Sequence, residues 1–124
     1  MIGIDIIKIQ RMKKIVDKYG DKGLRKFLSD DELKLIKSVK TAAGFWAAKE
    51  ACSKALQTGI GSECSFFDII ISKTDRGAPI LSLSKNIMQK FNISNASLSI
   101  THDGEYAIAV VALEMLSSSS NKIK

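Results

Sequence analysis

The sequence predicts an α+β fold: mostly antiparallel sheet packed on one long, alanine-rich central helix. Three observations carry that expectation. Residues 41–58 form a long run, dense in alanine and apolar on almost every side, which suits a helix in the middle of the molecule. Short β-branched segments separated by turn residues fill the second half. With 124 residues there is room for one domain around one core.

Each element has its own signal. Ile2 to Ile7 is short, apolar and β-branched, interrupted by Gly3 and Asp5, and is expected to be a strand. From Ile9 the period changes: Ile9, Met12, Ile15, Val16 and Tyr19 follow helical spacing and predict a buried stripe. Arg11, Lys14 and Lys18 form a basic stripe on the same helix. Gly20 and Gly23 break it. Ser29-Asp30-Asp31-Glu32 has the capping-box pattern and predicts a helix through about Val39. The alanine-rich helix from Thr41 to Thr58 ends at Gly59-Ile60-Gly61. Phe66 to Ser72 and Pro79 to Leu83 read as strands joined by the turn Thr74-Asp75-Arg76-Gly77-Ala78. Lys85 to Phe91 is a short amphipathic helix. Ser97 to Thr101 and Tyr106 to Leu113 complete the sheet, with Asp103-Gly104 as a hairpin signal. Residues 1–116 are expected to form the single domain, and 117–124 a polar tail.

Composition narrows the function. Apolar residues make up 45% and charged residues 26%, an ordinary globular balance and not a disordered one. Apolar stretches fall far short of the ~20 residues a membrane helix needs, and the first five residues do not read as a signal peptide. The two cysteines, Cys52 and Cys64, form no CxxC, so neither a disulfide framework nor a zinc site is indicated. A cytoplasmic location is the natural reading. The net charge of +6 sits in one place: residues 8–40 hold eleven Lys/Arg against five Asp/Glu, and the remainder carries eight of each. That segment should attract a polyanion or an acidic protein, unless it is only a solvated helix face.

Four residues stand out for chemistry. Glu50 and Lys54 are four apart on the central helix, hence neighbours on one face. On an exposed helix they would be a plain salt bridge; among alanines, ionised groups are costly unless paired or bound to a metal. Asp5 interrupts a strand of isoleucines. It is either an exposed edge residue or a second carboxylate meeting Glu50 around a divalent cation, for which Mg²⁺ suits two carboxylates, phosphate oxygens and water. His102, the only histidine, would share a strand face with Leu98 and Ile100; it is either structural or placed to reach a site. The common P-loop, dinucleotide and hydrolase signatures are absent.

Taken together, four blocks resemble the small, single-domain 4′-phosphopantetheinyl transferases, the holo-acyl-carrier-protein synthase family. They are Ile2-Gly3-Ile4-Asp5-Ile6 followed by Arg11; Trp46-Ala47-Ala48-Lys49-Glu50-Ala51-Cys52-Ser53-Lys54-Ala55 running into Thr58-Gly59-Ile60; Phe67-Asp68-Ile69 with Gly77-Ala78-Pro79; and Ser99-Ile100-Thr101-His102-Asp103 with Tyr106-Ala107. The resemblance covers the chain through about Glu114. It implies the fold of that family and transfer of 4′-phosphopantetheine from coenzyme A to a serine of apo-acyl carrier protein, giving adenosine 3′,5′-bisphosphate, in fatty acid biosynthesis. It further implies that Asp5 and Glu50 hold Mg²⁺, that Lys54 contacts phosphate near the leaving group, and that Lys49 and His102 belong to coenzyme A binding, with His102 in the catalytic surroundings. Arg11, Lys14 and Lys18 would grip the acidic carrier protein, and the chain would be a homotrimer with sites at subunit boundaries. Two positions depart from the family pattern: Phe45 stands where arginine is frequent, and Gln57 where glycine is usual.

On this reading Glu50 is the base that activates the serine, working through water, and Lys54 neutralises the departing group. A nucleic-acid-binding module would explain the basic segment, but aromatics for base stacking are few and Asp5, Glu50 and Lys54 would have no role. A different Mg²⁺-dependent enzyme acting on phosphoanhydrides would share the metal site but not the docking face.

Overall fold

The computed structural model describes residues 1–116, so the tail expected at 117–124 lies outside the described residues. The strands are β1 (Ile2–Lys8), β2 (Ile69–Lys73), β3 (Pro79–Leu83), β4 (Ile93–Asp103) and β5 (Tyr106–Met115). The helices are α1 (Ile9–Tyr19), α2 (Asp21–Leu24), α3 (Asp30–Leu33), α4 (Val39–Ala55) and α5 (Lys85–Phe91). A three-stranded antiparallel sheet has the order β1-β5-β4, and β2 and β3 form a separate antiparallel hairpin. The α+β architecture read from the sequence is the one observed.

Alternation on β5 decides which face is covered. Ala107, Ala109, Val111 and Leu113 are buried against α4, whose Ala47, Ala48, Ala51 and Ala55 are also buried. Small side chains on both sides let helix and sheet approach closely. Gly3 takes this furthest: a Cβ there would lie 2.0 Å from the Ala51 carbonyl oxygen and 2.7 Å from the Ala55 nitrogen. Only glycine lets β1 lie on the backbone of α4, and that closeness sets where Asp5, two residues on, must fall.

Several boundaries differ from expectation, each for a physical reason. The capping box at Ser29 forms, with Glu32 returning to the Ser29 nitrogen, but the helix stops at Leu33. Glu32 is drawn into the core, and Ser38 starts α4 afresh by accepting a hydrogen bond from the Thr41 nitrogen. Tyr19 does not join the buried stripe; it is 47% exposed, with the ammonium groups of Lys18 and Lys26 at 5.3 and 5.4 Å from its ring. Helix α4 ends at Ala55, before the glycines, because Gln57 itself adopts the left-handed conformation (φ 64°). The Ser53 carbonyl then accepts from the nitrogens of Thr58 and Gly59. Phe66–Asp68 is a 3₁₀ turn capped by Ser65, so β2 begins only at Ile69. Strand β4 runs well beyond the expected Ser97–Thr101, with a register shift between Ile93 and Asn95.

Candidate active site

Strand β1 and helix α4 bring Asp5, Lys54 and Glu50 together. The Lys54 ammonium donates to Asp5 Oδ1 at 2.8 Å and to the Ile4 carbonyl at 3.3 Å. One turn earlier on α4, Glu50 lies close enough to feel both charges. Burial pushes its carboxyl above the usual glutamate range, Asp5 pushes it further, and Lys54 opposes them. The pair is open to solvent on the lysine side: the Lys54 side chain is 56% exposed and that of Asp5 15%. Asp5 is thus near enough to Glu50 for the two charges to act on each other.

The donor set fits a hard divalent cation. Two carboxylates lie near enough to raise the cost of each other's charge, and Asp5 already attracts an ammonium. Among the described residues no cluster of three or more His, Cys, Asp or Glu could cage a metal alone. Mg²⁺ is satisfied with one or two carboxylates when substrate phosphates and water complete its shell.

Lys49, expected at a coenzyme A contact, is sealed inside the protein. Its side chain has no exposed surface, and its ammonium donates to the Phe27 carbonyl (2.8 Å), Glu32 Oε1 (2.8 Å) and the Phe66 carbonyl (3.0 Å). All three donors are used within the protein. Burial pulls this ammonium below the ordinary lysine range, against the hydrogen bond and charge of Glu32. Glu32, which sequence reasoning read only as a cap, also accepts from the Ile71 nitrogen at 2.8 Å. The pair ties α3, α4 and β2 together.

His102 is not with the acids. It lies near Gly44, six residues before Glu50 and roughly 9 Å away along the helix axis. Asp5 is on β1 and His102 on β4, the two edges of the three-stranded sheet. His102 Nε2 is 3.0 Å from the Lys40 carbonyl. That oxygen can only accept, so Nε2 carries the proton in this hydrogen bond. His102 lines a cleft of ≈ 180 Å³ with Gly44, Phe45, Lys73, Pro79 and Ile100.

Arg11, Lys14 and Lys18 are exposed along α1, and among the described residues only Lys13 of that helix's cations is in an ion pair, with Asp17. The cysteines are free and buried. Burial and the nearness of Cys64 push the Cys52 thiol up to about 12; burial and then Asp68 push Cys64 to about 11. Neither is a thiolate near neutrality, so neither is the nucleophile.

A small α+β domain with two acids and an exposed ammonium gathered at one sheet edge has the charges that a group-transfer enzyme for phosphate-bearing substrates needs. Residues 1–111 match the model of the 4′-phosphopantetheinyl transferase superfamily. A holo-[acyl-carrier-protein] synthase of Sulfurimonas denitrificans is 60% identical over 123 residues, covering 99% of this chain and all of that one. The crystal structure of the Helicobacter pylori synthase in complex with coenzyme A is 52% identical, with a TM-score of 0.89 over 92% of this chain and all of that one. The Bacillus anthracis synthase in complex with CoA (3′,5′-ADP) is 40% identical, with a TM-score of 0.77 over 93% of this chain and 96% of that one. The chain belongs to the 4′-phosphopantetheinyl transferase superfamily.

Proposed function

We propose that this chain transfers 4′-phosphopantetheine from coenzyme A to a serine hydroxyl of apo-acyl carrier protein. The convergence of Asp5, Glu50 and Lys54 carries the chemistry, and 60% identity over nearly the whole chain supports the substrates. The serine oxygen forms a bond to the pantetheine-bearing phosphorus. The bond from that phosphorus to the bridging oxygen breaks, and adenosine 3′,5′-bisphosphate leaves.

Asp5 and Glu50 are the residues to hold Mg²⁺, which when bound supplies positive charge to the diphosphate and acidifies water. Glu50 takes the serine proton, directly or through water. The flexible, exposed Lys54 leaves Asp5 to meet the charge growing on the leaving phosphate. Arg11, Lys14 and Lys18 present exposed cations to the acidic carrier protein and raise the encounter rate.

The working unit we propose is a homotrimer. The outer face of the sheet leaves Ile2, Ile4 and Ile6 at 72%, 60% and 56% exposure, with Val110 and Ile108 beside Ile4 and Ile6 on β5. Isoleucines in a contiguous outward row favour burial against other copies. The acids lie at the β1 edge and the His102 cleft at the β4 edge. A cyclic assembly that sets one copy's β1 edge beside the next copy's β4 edge unites the two halves and closes on itself. Sedimentation of the native chain at three times the monomer mass is the expected result, and Ile4→Asp should sediment as monomer.

The deciding assay mixes the purified chain with coenzyme A, Mg²⁺ and apo-carrier protein. The carrier should gain the mass of one phosphopantetheine group, and only when all components are present. No gain would sink the reading.

A further inference from the structure

We infer that Lys54 couples the binding of a divalent cation to that of coenzyme A: it holds Asp5 against a lone cation and yields the carboxylate when a diphosphate arrives. The inference rests on the transferase reading above and deepens it. Asp5 is already engaged. Its Oδ1 accepts from the Lys54 ammonium at 2.8 Å, and the Ile4 carbonyl accepts from the same ammonium at 3.3 Å. The Asp5 side chain is only 15% exposed, so the contact is partly shielded from water and salt. A dication and an ammonium cannot share that oxygen. The other oxygen of the carboxylate offers no escape, because a dication there would still stand within a few ångströms of the ammonium and be repelled. Glu50 is near enough to feel both charges. With both acids ionised, the three groups carry one net negative charge, where the acids alone would carry two. Such a set attracts a lone Mg²⁺ weakly, since that ion gives up its water reluctantly.

Lys54 can change partners at little cost. Its side chain is 56% exposed and its four-carbon stem is flexible, so the ammonium can turn to another anion without entering the core. Lys49, with no exposed surface and all its donors spent inside the protein, could not. The diphosphate of coenzyme A is the anion that suits the exchange. It gives the ammonium a new partner and the cation further oxygen ligands, and it sets Asp5 free. Cation and coenzyme A then each improve the other's binding, and linkage makes the two improvements equal.

Mn²⁺ binding, followed by the paramagnetic resonance of the unbound ion, tests this with no carrier protein present. The native chain should hold Mn²⁺ about tenfold more tightly with coenzyme A than without it. Calorimetry should show Mn²⁺ tightening coenzyme A by the same factor. Lys54→Met should bind Mn²⁺ alone about tenfold more tightly than the native chain, and should gain less from coenzyme A. Lys54→Arg keeps the charge and should keep the coupling. A native affinity for Mn²⁺ that coenzyme A leaves unchanged overturns the role of Lys54 while leaving the transferase reading intact. So does a Lys54→Met chain that binds Mn²⁺ alone no better than the native one. A native chain that binds no coenzyme A and adds no mass to the carrier overturns that reading, and this inference with it.

Discussion

Helix α4 carries two lysine–carboxylate pairs five residues apart, and they have opposite surroundings. Lys49 and Glu32 are sealed, at 0% and 2% side-chain exposure; Lys54 and Asp5 stand at 56% and 15%. The sealed pair spends every donor of its lysine on the protein, and the Glu32 carboxylate also receives the nitrogens of Ser29 and Ile71. The open pair leaves donors and lone pairs unspent, with Glu50 beside it. The same two side-chain types thus build a strut in one place and a reactive site in the other. What separates them is whether the remaining hydrogen-bonding capacity faces protein or solvent.

Breaking the strut should give the largest change. Lys49→Met strands a buried carboxylate, and removing one partner of such a pair costs roughly 3–5 kcal/mol. Chemical denaturation should show that loss. In the double variant Glu32→Gln with Lys49→Met, the charge is gone but an amide oxygen can still accept from the backbone. Part of the stability should return. If the double variant is no better than the single, the loss was packing and not a stranded charge.

Glu50→Gln should do the reverse: little to stability, much to rate. Burial and Asp5 both disfavour the charge of Glu50, so its folded-state pKa is raised. A raised carboxylate pKa means that ionisation opposes folding above the unfolded value, and a neutral glutamine removes that opposition. The melting temperature at neutral pH should therefore hold or rise. Turnover should fall about 10²–10⁴-fold, the range for a lost general base. In the metal-free chain the stability gap between Glu50→Gln and the native protein should open as pH rises above the ordinary glutamate range, and urea unfolding across that range reads it. Full activity in Glu50→Gln would refute the assignment.

How legible all this was depended on whether the deciding contact is local. The open site could be suspected because Glu50 and Lys54 are helical neighbours and Asp5 is a polar break in an apolar strand. The sealed pair could not, because Glu32 and Lys49 are seventeen residues apart and meet only once α3 turns under α4. Glu32 advertised a cap, which it is, and nothing in its spacing announced the core. Gly3 was visible only as an interruption, although a glycine in a strand facing an alanine-rich helix is a signal of close approach. Gln57 shows that position can override residue type, since it takes the left-handed turn that glycine usually supplies.

The cations of α1 test a third setting, fully exposed and long-range. Arg11→Glu with Lys14→Glu should raise the carrier-protein KM roughly tenfold at low salt and leave coenzyme A binding alone. Raising the ionic strength should shrink the difference, because exposed charges are screened over about 10 Å. A KM that does not move would remove α1 from the docking face.

The smallest effect expected is at Asp68, a carboxylate held without any lysine. The Ser65 nitrogen donates to Oδ2 at 2.9 Å and the Ser84 hydroxyl to Oδ1 at 2.8 Å. The backbone donor is the main reason its carboxyl sits below the usual aspartate range; slight burial works against it, and the serine hydroxyls add to the depression. A depressed carboxylate pKa stabilises the fold above the unfolded value, and that contribution is lost as pH falls through the folded one. Asp68→Asn keeps an acceptor oxygen and removes the charge, so it should cost about 1 kcal/mol or less at neutral pH. The gap from the native chain should close in acid, below the ordinary aspartate range. Urea unfolding at both pH values reads it directly. A gap that stays constant with pH would mean that shape and not charge holds the 3₁₀ turn, and that hydrogen-bond geometry alone suffices where neither a strut nor a reactive site is being built.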